Sequence, residues 1–226
     1  MCKPLFRFQA VLAALLLGVA SASAQTTLQA NPSGSTNNGL GTGTGIFFNL
    51  SAATALTITG MTTASSAAAN ATFSIEIFTR MGTGLGGPVG AGPGSSPAGW
   101  TSLGMVTVTQ GPTANDISLP IDLPDFSIAG GQTVGVAIVF TGAGPRYVGT
   151  GSPPLSTFSD ANLSLLTGDS RSVPFTTTGS FFSSRALTGS ITYMVVPEPS
   201  SFALVALAGA GWVAIARRRS RSSGKV

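Results

Sequence analysis

Histidine does not occur in this sequence, and its single cysteine is Cys2. A zinc centre, a thiol nucleophile, a disulfide framework and a histidine general base are therefore excluded from the body of the chain. Lysine is missing between residues 25 and 224, which removes Ser-Lys catalysis despite the abundance of serine and threonine. Charge is scarce altogether, with Asp, Glu, Lys and Arg making up 8% of residues. Glu76 is the only glutamate ahead of Glu198, so the opposed carboxylates of a glycosidase have few candidates. The chain reads as a protein without catalytic activity and without a cofactor.

The formal net charge of +4 belongs to the ends. Seven of the eleven basic residues are Lys3, Arg7, Arg217, Arg218, Arg219, Arg221 and Lys225. Between Gln25 and Val196 four arginines stand against six carboxylates, so no basic stripe could neutralise phosphates. Nucleic acid is not an expected partner. Hydrophobic residues make up 43% of the chain, enough for a packed core.

What is present begins with two ends that are not part of a fold. Lys3 and Arg7 precede an apolar run from Phe8 to Ala20, followed by Ser21-Ala22-Ser23-Ala24. A basic start, a short apolar segment and an Ala-x-Ala site made by Ala22 and Ala24 form a secretory signal peptide over residues 1–24, cleaved before Gln25. At the other end, Ser200 to Ala216 holds seventeen residues without a charge. As a helix this run reaches roughly 25 Å, the lower limit for crossing a bilayer core. The basic tail 217–226, led by Arg217-Arg218-Arg219, would stay on the cytoplasmic side. Upstream, Pro197 and Pro199 hold the backbone extended around Glu198 and stop the helix from propagating.

Val196-Pro197-Glu198-Pro199-Ser200, one apolar helix and an arginine cluster, in that order, resemble the PEP-CTERM sorting signal of Gram-negative bacteria. The resemblance covers residues 196–221. It implies that an integral membrane protease, exosortase, recognises the Pro-Glu-Pro region and removes the tail. The inner membrane would then be a temporary anchor, and the protein would end at the cell surface or in an extracellular matrix.

Between the ends, short apolar runs recur between glycine and proline. Residues 25–44 are polar and read as a flexible leader or a first edge strand. Phe73, Ile75 and Ile77 alternate with Ser74 and Glu76, the period of a half-buried strand. Similar runs lie at 46–50, 55–59, 100–109, 117–123, 146–149, 162–166 and 190–194, with Pro124 closing the fourth. The most apolar, Thr133 to Phe140, is expected at the centre of a sheet. The Gly/Pro/Ser-rich stretch 81–99 reads as a long loop. This pattern predicts an all-β fold, a jelly-roll-like β-sandwich over residues 45–194. The order of segments such as "GWTSLGMVTV", "FSIAGGQTVGVAIVF" and "SSRALTGSITY" resembles a β-sandwich module of secreted bacterial proteins, which implies the fold and no particular activity.

The candidate sites follow from residue chemistry. Asp122 and Asp125 flank Leu123-Pro124 as possible Ca²⁺ ligands, although loop aspartates more commonly cap turns. Gly168-Asp169-Ser170 reads as a turn, and Asp160 as another turn residue. Trp100 and Tyr147 are the rings available for stacking on a sugar, against a core role for each. The function expected is a structural or adhesive one, possible partners being exopolysaccharide and the exosortase-like protease. The alternative is a carbohydrate-binding module, and a hydrolase comes third.

Overall fold

The computed structural model describes residues 24–31, 36–149 and 156–197. These residues form an all-β body. In chain order its strands are β1 (Gln25–Ala30), β2 (Asn38–Gly39), β3 (Gly45–Ala52), β4 (Leu56–Thr63), β5 (Thr72–Met81), β6 (Thr101–Thr109) and β7 (Ile121–Ile128). They continue with β8 (Thr133–Thr141), β9 (Arg146–Gly149), β10 (Thr157–Ser159), β11 (Leu163–Arg171), β12 (Phe181–Leu187) and β13 (Gly189–Val195). A four-stranded sheet runs β1-β13-β4-β7, and a nine-stranded sheet runs β2-β9-β12-β11-β3-β8-β5-β6 with β10 beside β11. Each named strand pair is antiparallel.

The β-sandwich expected from the alternation is thus the fold. Leu56, Ile58 and Ile191 from the small sheet meet Ile75, Ile77, Phe140 and Leu165 from the large one in a single core, all at most 1% exposed. Alternation explains β5, where Phe73, Ile75 and Ile77 are buried and Ser74 and Glu76 are half-buried on the other side. β3 and β8 are buried on both faces, which is why their sequences do not alternate. β8 lies between β3 and β5, in the interior of its sheet, as its apolar run predicts.

The second face of β3 and β8 is covered by loops. Phe47, Leu85 and Ala137 form a separate apolar cluster joined by Phe78, Trp100, Leu166 and Phe175. The 81–99 stretch is a loop, as expected, but it lies flat on the sheet rather than projecting from it. Gly135 and Gly84 permit this: a Cβ on Gly135 would strike the backbone of Gly84.

One open choice is resolved and three local readings change. Of the leader and the first edge strand, Gln25–Ala30 is the edge strand, because Leu28 and Ala30 are buried against the core while Gln25, Thr27 and Gln29 face out. Pro124 does not end a strand; it sits inside β7, an edge strand where a missing N–H is tolerated. Asp169 is not in a turn. Gly168-Asp169 absorbs a register shift inside β11, and the composition that makes a turn here makes a bulge. β12, rich in serine, has no clear period and was not among the predicted runs.

Candidate functional site

β1 begins at Gln25, and β13 ends at Val195. Their antiparallel register sets Gln25 opposite Met194. The Ala24–Gln25 junction and the start of the Pro-Glu-Pro region therefore leave the sandwich at the same pole, from neighbouring strands. Val196 N–H still donates to the Ala55 carbonyl at 2.8 Å, so the fold holds the chain up to Val196. Exposed Pro197 follows directly, with no intervening linker. Ala22, Glu198, Pro199, Arg217, Arg218 and Arg219 lie outside the described residues, as do the apolar segments of both ends.

The outer face of the small sheet is built of hydroxyls and amides. Its rungs follow the register: Gln25, Met194, Thr57 and Ser127 form one, and Gln29, Ser190 and Thr62 another. Between them lie Thr27, Thr192 and Gly60 opposite Asp122. The hydroxyls bond across strands: Thr27 to Thr192 at 3.4 Å, Thr57 to Ser127 at 3.1 Å and Thr62 to Ser190 at 2.9 Å, while Gln25 Nε2 donates to Thr59 Oγ1 at 3.2 Å. A shallow groove of about 480 Å³ crosses this face, and Asp122 is the one charged residue lining it. Gly60 sets its floor, since a Cβ there would come within 2.9 Å of the Ile121 carbonyl. Such a surface presents both donors and acceptors with little net field, which suits a neutral polyhydroxylated chain.

The chemistry with the deepest burial lies elsewhere, under the 81–99 loop. Arg171 is 2% exposed and Asp169 3%. The Arg171 guanidinium donates to Ser95 Oγ at 2.9 Å and to the Gly86 and Ala91 carbonyls at 2.8 and 3.3 Å. It also lies 4.8 Å from the centre of the Phe181 ring. Gly86 N–H donates to Asp169 Oδ2 at 2.6 Å, so one residue of the loop is gripped at both ends of its peptide groups. Burial pushes the Asp169 carboxyl above its ordinary value, against the pull of Gly86 N–H and Arg171. The Asp169 carboxylate and the Arg171 guanidinium are both directed at the loop, at its backbone and at the Ser95 hydroxyl. The cluster fastens the loop to the sheet, a role that composition alone does not reveal.

The remaining predicted residues separate. Tyr147 is 1% exposed, so it has no face to offer a sugar; it is a core ring with Arg185 5.8 Å away. Trp100 is half-buried, its Nε1–H donates to the Pro93 carbonyl at 3.0 Å, and it meets Phe47 and Phe175 edge-on at 5.7 and 5.3 Å. Arg80 covers it from 5.5 Å, so its ring is a closure of the loop rather than an open platform. Asp122 and Asp125 are both exposed on β7, on either side of Pro124, and no group of three potential metal-ligating side chains occurs among the described residues. Asp160 does act as a turn residue: its Oδ1 accepts from the N–H groups of Asn162 and Leu163 at 2.8 and 2.9 Å. Its Oδ2 accepts from the Tyr193 hydroxyl at 2.8 Å, a link that the sequence does not suggest.

Residues 195–219 match the PEP-CTERM protein-sorting motif. The chain is thus a β-sandwich protein carrying a sorting motif that implies export, a transient membrane anchor and processing by exosortase, a membrane protein. No curated protein matches the chain. Among solved structures, the VP2 subviral particle of infectious bursal disease virus aligns over 80% of this chain and 40% of its own, with 14% identity and a TM-score of 0.16. A structure of the Gt strain of the same virus aligns over 80% and 41%, with 14% identity and a TM-score of 0.09. The chain spans less than half the length of either.

Proposed function

We propose that the processed protein is a non-catalytic component of the cell surface or extracellular matrix that holds a neutral exopolysaccharide across the outer face of its small sheet. The observation that carries this reading is the hydroxyl-lined groove around Thr27, Thr59, Thr62 and Thr192, with Asp122 at its margin. Export delivers such a face to a compartment filled with polyhydroxylated polymers. Many weak hydrogen bonds along a repeating chain add up, because each further bond is made by a ligand already tethered. The scattered positions of the carboxylates support a binding role over a hydrolytic one. A glycan module that stacks sugars on Trp100 and Tyr147 finds less support, since neither ring is free.

The shared pole of β1 and β13 also supports the order of events. Signal cleavage after Ala24 and removal of the tail near Pro197 would both act on the pole at which β1 begins and β13 ends.

The test is co-sedimentation of the processed protein with exopolysaccharide from its own cells, across a salt series. Retention is expected to change little with salt, because the proposed contacts are uncharged. Thr59→Glu with Thr192→Glu, two half-buried positions on this face, should abolish it. Retention that survives both substitutions would move the polymer to another surface. The mass of the recovered chain separately reports whether residues 1–24 and the tail have been removed.

A further inference from the structure

Five strands lie at sheet edges among the described residues, and four of them are short, covered or charged. β2 and β10 are two and three residues long, β1 lies beside β10 of the other sheet, and β7 carries Asp122, Pro124 and Asp125. β6 differs. Its nine residues, Thr-Ser-Leu-Gly-Met-Val-Thr-Val-Thr, contain no charge and no proline, and it pairs only with β5. Edge strands of soluble proteins ordinarily carry a device against pairing; in β6 a register irregularity at Leu103 and the Leu119 contact at Thr109 blunt the two ends, and the stretch 105–107 between them has neither charge nor cover.

The direction of its free backbone groups can be worked out. Gln110 N–H donates to the Ala71 carbonyl, toward β5, while the neighbouring Thr109 carbonyl turns the other way and accepts from Leu119 N–H at 2.9 Å. Backbone groups alternate along an antiparallel strand, so those of Thr107 and Met105 also face the open edge. The side chains fit the same view. Met105 is 62% exposed, and Leu103 and Val106 are only partly covered by the core they border.

We propose that β6 is a self-association edge, pairing antiparallel with β6 of a second copy of this chain about a twofold axis at Val106. This register sets Met105 of each copy opposite Thr107 of the other, keeps inward residues inward, and joins the two large sheets into one. It uses the segment before the irregularity between Ile77 and Phe78, where the β5–β6 register shifts. A second copy is the occupant because β6 meets no like charge when it faces itself. β7 facing itself would bring carboxylates together. Glu76 on β5, the charge nearest in register to Met105, accepts a 2.7 Å hydrogen bond from Ser102 Oγ within its own sheet. The pairing does not depend on the polysaccharide reading, and its test is separate.

Sedimentation equilibrium of the processed protein recovered from its producing cells should show a reversible dimer. Thr107→Pro removes an N–H that points away from β5, so it takes no hydrogen bond from the monomer. It should raise the dimer dissociation constant by about tenfold or more, whereas Thr107→Val, which keeps the N–H, should dimerise like the parent. Amide exchange of the parent gives a second measurement that needs no variant: Met105 and Thr107 should become protected as concentration rises. A parent that stays monomeric at about 100 μM, amides that exchange equally at low and high concentration, or a folded Thr107→Pro that dimerises as tightly as the parent would overturn the assignment.

Discussion

Replacing Arg171 with methionine keeps the volume and the apolar contact with Phe181 but removes the charge that fastens the 81–99 loop. Three hydrogen bonds to Ser95, Gly86 and Ala91 disappear, and Asp169 is left buried with only Gly86 N–H for a partner among these contacts. Breaking a buried charge pair by removing one partner costs about 3–5 kcal/mol, most of it from the stranded charge. A domain of ordinary stability has about 5–15 kcal/mol in total, so Arg171→Met should remain folded but be visibly weakened. Urea denaturation followed by the fluorescence of Trp100, which packs at the end of this loop, gives the loss directly. The pH dependence supplies a sharper test. Burial raises the Asp169 carboxyl above 3.8, so its contribution favours the fold at low pH and is lost as pH rises through the folded value. Without Arg171 the carboxyl should rise further. The deficit of Arg171→Met should therefore shrink as pH falls from neutrality and the stranded carboxylate takes up a proton. Adding Asp169→Asn should likewise recover part of the loss. A deficit under about 1 kcal/mol, the range of an exposed ion pair, would refute the reasoning.

Three further outcomes are expected. Tyr193→Phe removes the 2.8 Å hydrogen bond to Asp160 and should cost about 1 kcal/mol at neutral pH. Burial raises the Asp160 carboxyl, but its bonds from Asn162, Leu163 and Tyr193 outweigh this and leave it below 3.8. Its contribution is present above that value and lost as pH falls through the folded one, so the difference from the parent should narrow in acid. Gly189→Ala should destabilise by about 2 kcal/mol or more in a thermal or urea melt, because Gly189 has φ +149° and a Cβ would strike the Thr62 carbonyl. Acrylamide should quench Trp100 only partially, and saturating polysaccharide should leave that quenching unchanged, since the ring is half-buried on the opposite sheet from the groove.

How much of this could be read in advance differs from element to element. β5 was legible because its two faces meet different surroundings, and period-two alternation records that difference residue by residue. The sorting tail was legible because its parts act locally, in order, without help from the fold. β1 was ambiguous, since Gln-Thr-Thr-Leu-Gln-Ala becomes a strand only when β13, some 160 residues away in sequence, offers a ladder. Pro124 and Gly168-Asp169 were read by their ordinary punctuation, which the sheet overrode at an edge and at a bulge. Trp100 and Tyr147 were candidates by residue type, and type says nothing about which side of a strand or loop is covered.

The sequence by itself determined the class of fold, the absence of histidine and thiol chemistry, and the address written in the last thirty residues. These rest on composition and short-range pattern, which survive without knowledge of neighbours. Only the tertiary structure decided that Asp169 and Arg171 would clasp a loop, that threonines from three strands would share one groove, and that the middle of β6 would be left as an open edge. Each of these depends on register and on which strands become neighbours. A shift of one residue in a strand turns every side chain to the opposite face, so such sites exist only once the sheets have formed.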